Sequence, residues 1–139
     1  MRRVLLCILF CGLFLNSYNR IPSHHIVVEE IVSDTIPTLN IENLQKELIK
    51  RNVPCYKIVI AQAVLETGHF KSKHCRERNN IFGMRNKKGY KYYNSWIECV
   101  DDYEKRFSKR YKGGDYFVFL QKVHYAEDPT YEQKVRKLL

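Results

Sequence analysis

The sequence predicts a mainly α-helical domain with one small β-hairpin over residues 40–139, on three observations. Apolar residues recur at helical spacing through most of that range. Helix-start residues stand ahead of the periodic segments: Asn40, Ser95, Asp115 and the Asp128-Pro129 pair. One stretch alone, "MRNKKGYKYYN", breaks the pattern with a turn flanked by strand-forming residues. An apolar content of 45% with 28% charged residues is that of a globular chain, which excludes a disordered one.

The N-terminal residues stand apart. A basic "MRR" precedes the apolar run "VLLCILFCGLFL" and then polar "NSYNR". That order is the pattern of a secretory signal peptide over residues 1–17, its apolar part too short for a comfortable membrane span. No A-x-A-like triplet marks a cleavage site, and an uncleaved N-terminal anchor with membrane association is the alternative. Either way the chain is expected to be exported, to the periplasm or cell envelope. Cleavage near Ser17 would remove Arg2 and Arg3, taking the formal charge from +9 to +7 (9 − 2), and would leave Cys55, Cys75 and Cys99. An odd number leaves at least one unpaired, and without a C-x-x-C pair these read as small buried hydrophobes rather than metal ligands, with one disulfide among them as the alternative. Residues 18–39 have two prolines and no sustained helical period, so they read as a linker. His24 and His25 fall within it, with no further ligands nearby.

From Asn40 the elements follow in order. Asn40 caps "IENLQKELIKRN", whose Ile41, Leu44 and Leu48 share a face. Pro54 occupies a first-turn position for "CYKIVIAQAVLE", a helix apolar nearly all round and expected at the centre, with Gly68 ending it. A short polar helix follows at "KSKHCRER", then a loop "NNIFGM" with Ile81 and Phe82 turned inward. The hairpin places Lys88-Gly89 in its turn and Tyr90 and Tyr92 on one face. Ser95 with Glu98 forms a capping box opening a helix to about Arg110, with Trp96, Val100, Tyr103 and Phe107 at core spacing. Gly113-Gly114 breaks it, Asp115 caps "YFVFLQKVH", and Asp128-Pro129 starts the last helix, "TYEQKVRKLL".

The chemistry concentrates in "AQAVLETGHF". Seven of the eight residues from Ile58 to Leu65 are apolar, and Glu66 ends that run. Gln62 and Glu66, four apart, share a helix face. Apolar surroundings disfavour the charged carboxylate and raise its pKa, as a general acid near neutral pH requires. An ion pair with a neighbouring Lys or Arg, or simple exposure at the helix end, is the competing reading.

Three stretches, carrying four motifs in order, resemble a known family. "AQAVLETGHFKSKHCRERNNIFGMR" is similar to the A-Q-A-x-L-E-[ST]-G and N-x-[LI]-F-G signature of glucosaminidase-type cell-wall hydrolases, glycoside hydrolase family 73. "YYNSWIECVDDYEKRF" resembles that family's Y-x-S-x-x-E segment, and "HYAEDPTYEQKV" its Y-A-[TE]-D-P-x-Y closing motif. The resemblance implies a lysozyme-like fold, a helical lobe and a hairpin flanking a groove. It implies that Glu66 is the general acid for β-1,4 bonds in peptidoglycan glycan strands, with no metal or organic cofactor. Tyr125 falls on the closing-motif tyrosine near that glutamate, with a role in holding substrate or steadying positive charge, or as a core tyrosine. Asn80 and Phe82 fall in the N-x-F-G turn, shaping the groove floor. Tyr93 opens the Y-x-S segment and is a candidate sugar contact, with Gln62, Tyr90 and Tyr92 beside it. Trp96 reads as core.

Glycosidases usually pair two carboxylates. Many relatives carry one in the hairpin lobe, yet "GMRNKKGYKYY" has none. Glu98 is used as a cap, Asp102 can bridge to a neighbour, and the second residue stays unassigned. Substrate assistance by the acetamido group, or a weakly active binding module, are both compatible with that gap. The basic charge also suits nucleic acid, with ten Tyr and seven Phe for stacking, but an exported chain meets anionic wall polymers instead. A monomer with no nucleic-acid partner is expected.

Overall fold

A computed structural model describes residues 35–139. The signal-like segment 1–17, most of the 18–39 linker, His24, His25, Cys7 and Cys11 lie outside the described residues. Residues 35–39 carry no regular secondary structure. Hydrogen bonds tie them to the domain: the Trp96 indole N–H donates to the Pro37 carbonyl at 2.8 Å, and the Asn43 side-chain amide donates to the Thr38 carbonyl at 2.8 Å.

Among the described residues six α-helices and one hairpin follow in chain order: α1 Ile41–Lys50, α2 Tyr56–Thr67, α3 Lys73–Arg78, β1 Arg85–Asn86, β2 Gly89–Tyr90, α4 Trp96–Arg106, α5 Tyr116–Lys122 and α6 Tyr131–Arg136. This is the mainly helical, single-hairpin architecture of a lysozyme-like domain. Local chemistry sets most boundaries. The Asn40 side chain accepts from the Asn43 N–H, Ser72 from Cys75, Ser95 from Glu98, and Asp115 from Phe117 and Val118. Each satisfies a donor that the first turn leaves orphaned.

Four boundaries differ from the sequence reading. Pro54 lies ahead of α2 rather than in its first turn, because Cys55 takes a left-handed φ of 52° and the helix starts at Tyr56. Gly89 belongs to a strand, paired with Asn86, so Lys87-Lys88 forms the turn. After Arg106, α4 gives way to a short 3-10 turn over Ser108–Arg110. The last helix begins at Tyr131, and Asp128 organises the turn before it by accepting the Thr130 N–H at 2.8 Å. Glu98 reaches back as expected, but to the Asn94 N–H at 2.9 Å, one residue earlier than a capping box requires.

Helix α2 packs on α1 and α6 and occupies the centre. Leu44 and Leu48 from α1, Val59 and Ala63 from α2, Ile81, Val100 and Val135 are all fully buried around it. Cys75 and Cys99 are buried and unpaired, and Cys55 is partly buried and also free.

Gln62 is fully buried in this apolar setting. It is satisfied by a polar chain: the Tyr103 hydroxyl donates to its Oε1 at 2.7 Å, and its Nε2 donates to the Tyr131 hydroxyl at 3.3 Å. Tyr103 in turn meets the Tyr116 hydroxyl at 2.9 Å. Replacing Gln62 with Leu keeps volume but leaves these hydroxyls short of a partner. The expected loss is about 1–3 kcal/mol, read as a lower denaturation midpoint with an unchanged m-value.

Candidate active site

Glu66 sits in the last turn of α2, and the chain reverses directly after it. Thr67 is buried, its hydroxyl donating to the Ala63 carbonyl at 2.6 Å and accepting the Phe70 N–H at 2.8 Å. Gly68, His69 and Phe70 all have positive φ, so the helix stops there and Glu66 stands at the edge of the core.

By surface area Glu66 is an exposed residue, yet its carboxyl group is crowded enough that desolvation raises its pKa above the ordinary 4.5. The two facts describe one geometry, a carboxyl lodged in a cleft open on one side. Interaction with the Tyr131 hydroxyl pulls in the opposite direction but does not prevail. No Lys or Arg pairs with Glu66 among the described residues, so the ion-pair reading falls away. One wall is the backbone of Gly83: a Cβ built there would lie 2.6 Å from Glu66 Oε2 and 3.3 Å from its Cδ. Only glycine lets the carboxyl lie so close to that turn.

Gly83 is itself held from three sides. Asn80, 1% exposed, accepts the Met84 N–H at 2.8 Å and donates to the Met84 and Lys91 carbonyls at 2.8 and 3.0 Å. Phe82 packs against Tyr103 with ring centroids 4.3 Å apart. The Tyr125 hydroxyl donates to the Phe82 carbonyl at 3.2 Å. Tyr125 thus joins the loop before α6 to the turn that bears on Glu66, and burial raises its pKa well above 10. It is partly buried, with its ring 5.6 Å from that of Tyr131.

The cleft beside Glu66 encloses about 300 Å³. Leu65, Ala126, Glu127, Asp128, Tyr131 and Lys134 complete its lining. A second hollow of about 330 Å³ lies across the 125–131 loop, against Phe117 and Leu120. Asp128 pairs with Lys134 at 2.5 Å and accepts the Thr130 hydroxyl at 2.7 Å, and these partners hold its pKa down to about 2.

The other residues singled out in the sequence divide by position. Tyr92, 64% exposed, and Tyr90, 37% exposed, stand on the hairpin surface, Tyr90 stacked on His74 at 3.9 Å. Gln62, Asn80, Phe82 and Tyr93 are buried, and the structure does not bring them to the groove surface. The Tyr93 hydroxyl donates to Asp102 Oδ2 at 2.6 Å, while Lys91 and Arg106 pair with the same carboxylate at 2.7 and 3.1 Å. Asp102 is therefore the bridge anticipated for it, tying the hairpin to α4. Trp96 is buried at 4%. Gly83, Glu127 and Tyr131 were not singled out. All three lie inside the quoted motifs, but nothing local marks a glycine that a carboxylate 17 residues away presses upon.

A partly desolvated carboxyl with no Lys or Arg paired to it among the described residues, in a cleft on a helical lobe with a small hairpin, is compatible with one class, the glycoside hydrolases. The glucosaminidase family model, described as mannosyl-glycoprotein endo-beta-N-acetylglucosaminidase, matches residues 41–139, and the chain belongs to that family. Membership makes it a glycoside hydrolase of the peptidoglycan-glycan type. No curated protein matches the chain. Among the described residues no group of three or more His, Cys, Asp or Glu is placed to hold a metal, and no helix is long and apolar enough to cross a membrane.

Proposed function

We propose that this domain is an exported hydrolase that cuts the β-1,4 bonds of peptidoglycan on the N-acetylglucosaminyl side, with Glu66 as general acid. The carrying observation is the Glu66 carboxyl: raised in pKa by desolvation, paired with no Lys or Arg among the described residues, and facing a cleft. A protonated carboxyl so placed gives its proton to the glycosidic oxygen as the C–O bond breaks. Tyr125 positions the turn against the acid, and Tyr92 offers an exposed ring face for a pyranose. Export is supported by the apolar run behind Arg2 and Arg3. Digestion of purified sacculi followed by mass spectrometry of the fragments tests the reading. New N-acetylglucosamine reducing ends are expected; muramic acid ends would reassign the bond. The hairpin's lack of a carboxylate favours a second reading, a module that holds glycan without cutting it. Co-sedimentation with sacculi and no released reducing ends would establish that one.

The hairpin supplies charge for the wall's acidic groups. Arg85, Lys87 and Lys88 are exposed, and none of them forms a salt bridge among the described residues. Neutralising all three is expected to weaken co-sedimentation with sacculi at low salt and to leave little difference at high salt. The reason is screening, whose length falls from about 10 Å at 0.1 M to about 3 Å at 1 M. The bound fraction measured across a salt series checks it.

A further inference from the structure

If Glu66 donates a proton, the reaction still lacks a group to receive one from water. The described carboxylates are nearly all committed elsewhere. Glu98 holds Asn94, Asp101 pairs with Arg51, Asp102 with Lys91 and Arg106, Asp128 with Lys134, and Glu132 with Arg136. Glu127 is different. It is exposed, it forms no hydrogen bond or ion pair among the described residues, and it lines the same 300 Å³ cleft as Glu66. Its backbone belongs to the loop that the Tyr125 hydroxyl ties to the Phe82 carbonyl, next to the Gly83 turn.

We propose that Glu127 is the second catalytic carboxylate, the general base that activates the attacking water. Water in the cleft adds to the anomeric carbon while Glu127 takes its proton. The bond to the leaving oxygen breaks as Glu66 hands that oxygen a proton. One water is consumed, two hydroxyl-bearing ends form, and the two carboxyl groups finish with protonation states exchanged. A single displacement of this kind inverts the anomeric centre. The assignment explains how a hairpin without a carboxylate can serve an active hydrolase, and it rests on the Glu66 reading.

The test uses Glu127→Ala, Glu127→Gln and Glu66→Gln in the full chain, with sacculi as substrate and reducing ends as readout. Both Glu127 variants should melt with the parent, since the side chain is exposed and unpartnered, and lose about 100- to 10,000-fold in turnover. Sodium azide, a nucleophile that needs no base, should restore turnover to Glu127→Ala and give a glycosyl azide of inverted configuration. It should not restore Glu66→Gln. A Glu127→Ala enzyme as fast as the parent, or one that is folded, slow and unmoved by azide, overturns the proposal. Neither result touches Glu66. Parent activity in Glu66→Gln would instead sink the reading of the acid itself.

Discussion

Replacing Glu66 with glutamine is expected to lower wall hydrolysis by about 100- to 10,000-fold while the domain stays folded. The amide fills the same space against Gly83 but has no acidic proton to give. The pH dependence follows from the direction of the Glu66 shift. As the acid it must be protonated, so turnover should fall as pH rises through its raised folded value. Stability runs the same way. Between the ordinary 4.5 and that raised value, the folded state keeps a proton the unfolded chain has released. Stability therefore declines with rising pH across that window, and the cost persists above it. Glutamine carries no such cost, so the variant should melt at or above the parent at neutral pH. Parallel melting curves and rate profiles at several pH values check both halves. A variant that melts lower and hydrolyses normally would reverse the assignment.

The second large effect belongs to Gly83. Alanine there must place a methyl 2.6 Å from Glu66 Oε2, at a backbone φ of 63°. The backbone cost is about 1–2 kcal/mol, which in a domain of this size lowers the melting point by roughly 4–8 °C per kcal/mol. The larger consequence is displacement of the carboxyl, since a misplacement of about 1 Å can cost on the order of 100-fold in rate. Gly113 and Gly114 separate the two effects. Both have positive φ, 102° and 92°, with open space where a Cβ would go. Alanine at either should lower the melting point and leave hydrolysis intact. Equal activity losses at all three positions would show that backbone strain, not contact with Glu66, is responsible.

How much of this was legible before folding depends on the range of the interaction involved. Asn40, Ser95 and Asp115 act on donors two or three residues away, so their caps could be read directly. The central place of α2 followed from its own apolar composition, and Glu66 from its position at the end of that run. Cys55 shows the limit even locally. Nothing in "VPCYK" says that the residue after the proline turns left-handed, and the helix start moved with it. Burial was the commoner failure. Gln62, Asn80 and Tyr93 belong to motifs of a sugar-binding family, and all three are polar enough to suggest contact with substrate. Each instead meets a partner distant in sequence: Tyr103 for Gln62, Lys91 for Asn80, Asp102 for Tyr93.

The sequence by itself determined the helical class, the hairpin, the family and the carboxylate that ends α2, because each rests on short-range pattern. Only the tertiary structure decided what surrounds that carboxylate. The Gly83 turn, the Tyr125 tie and the 125–131 loop reach it from 17 to 65 residues away along the chain. A carboxyl's proton affinity is set by the dielectric and the groups around it in space. That environment exists only once the α2, Gly83 and 125–131 segments are packed together.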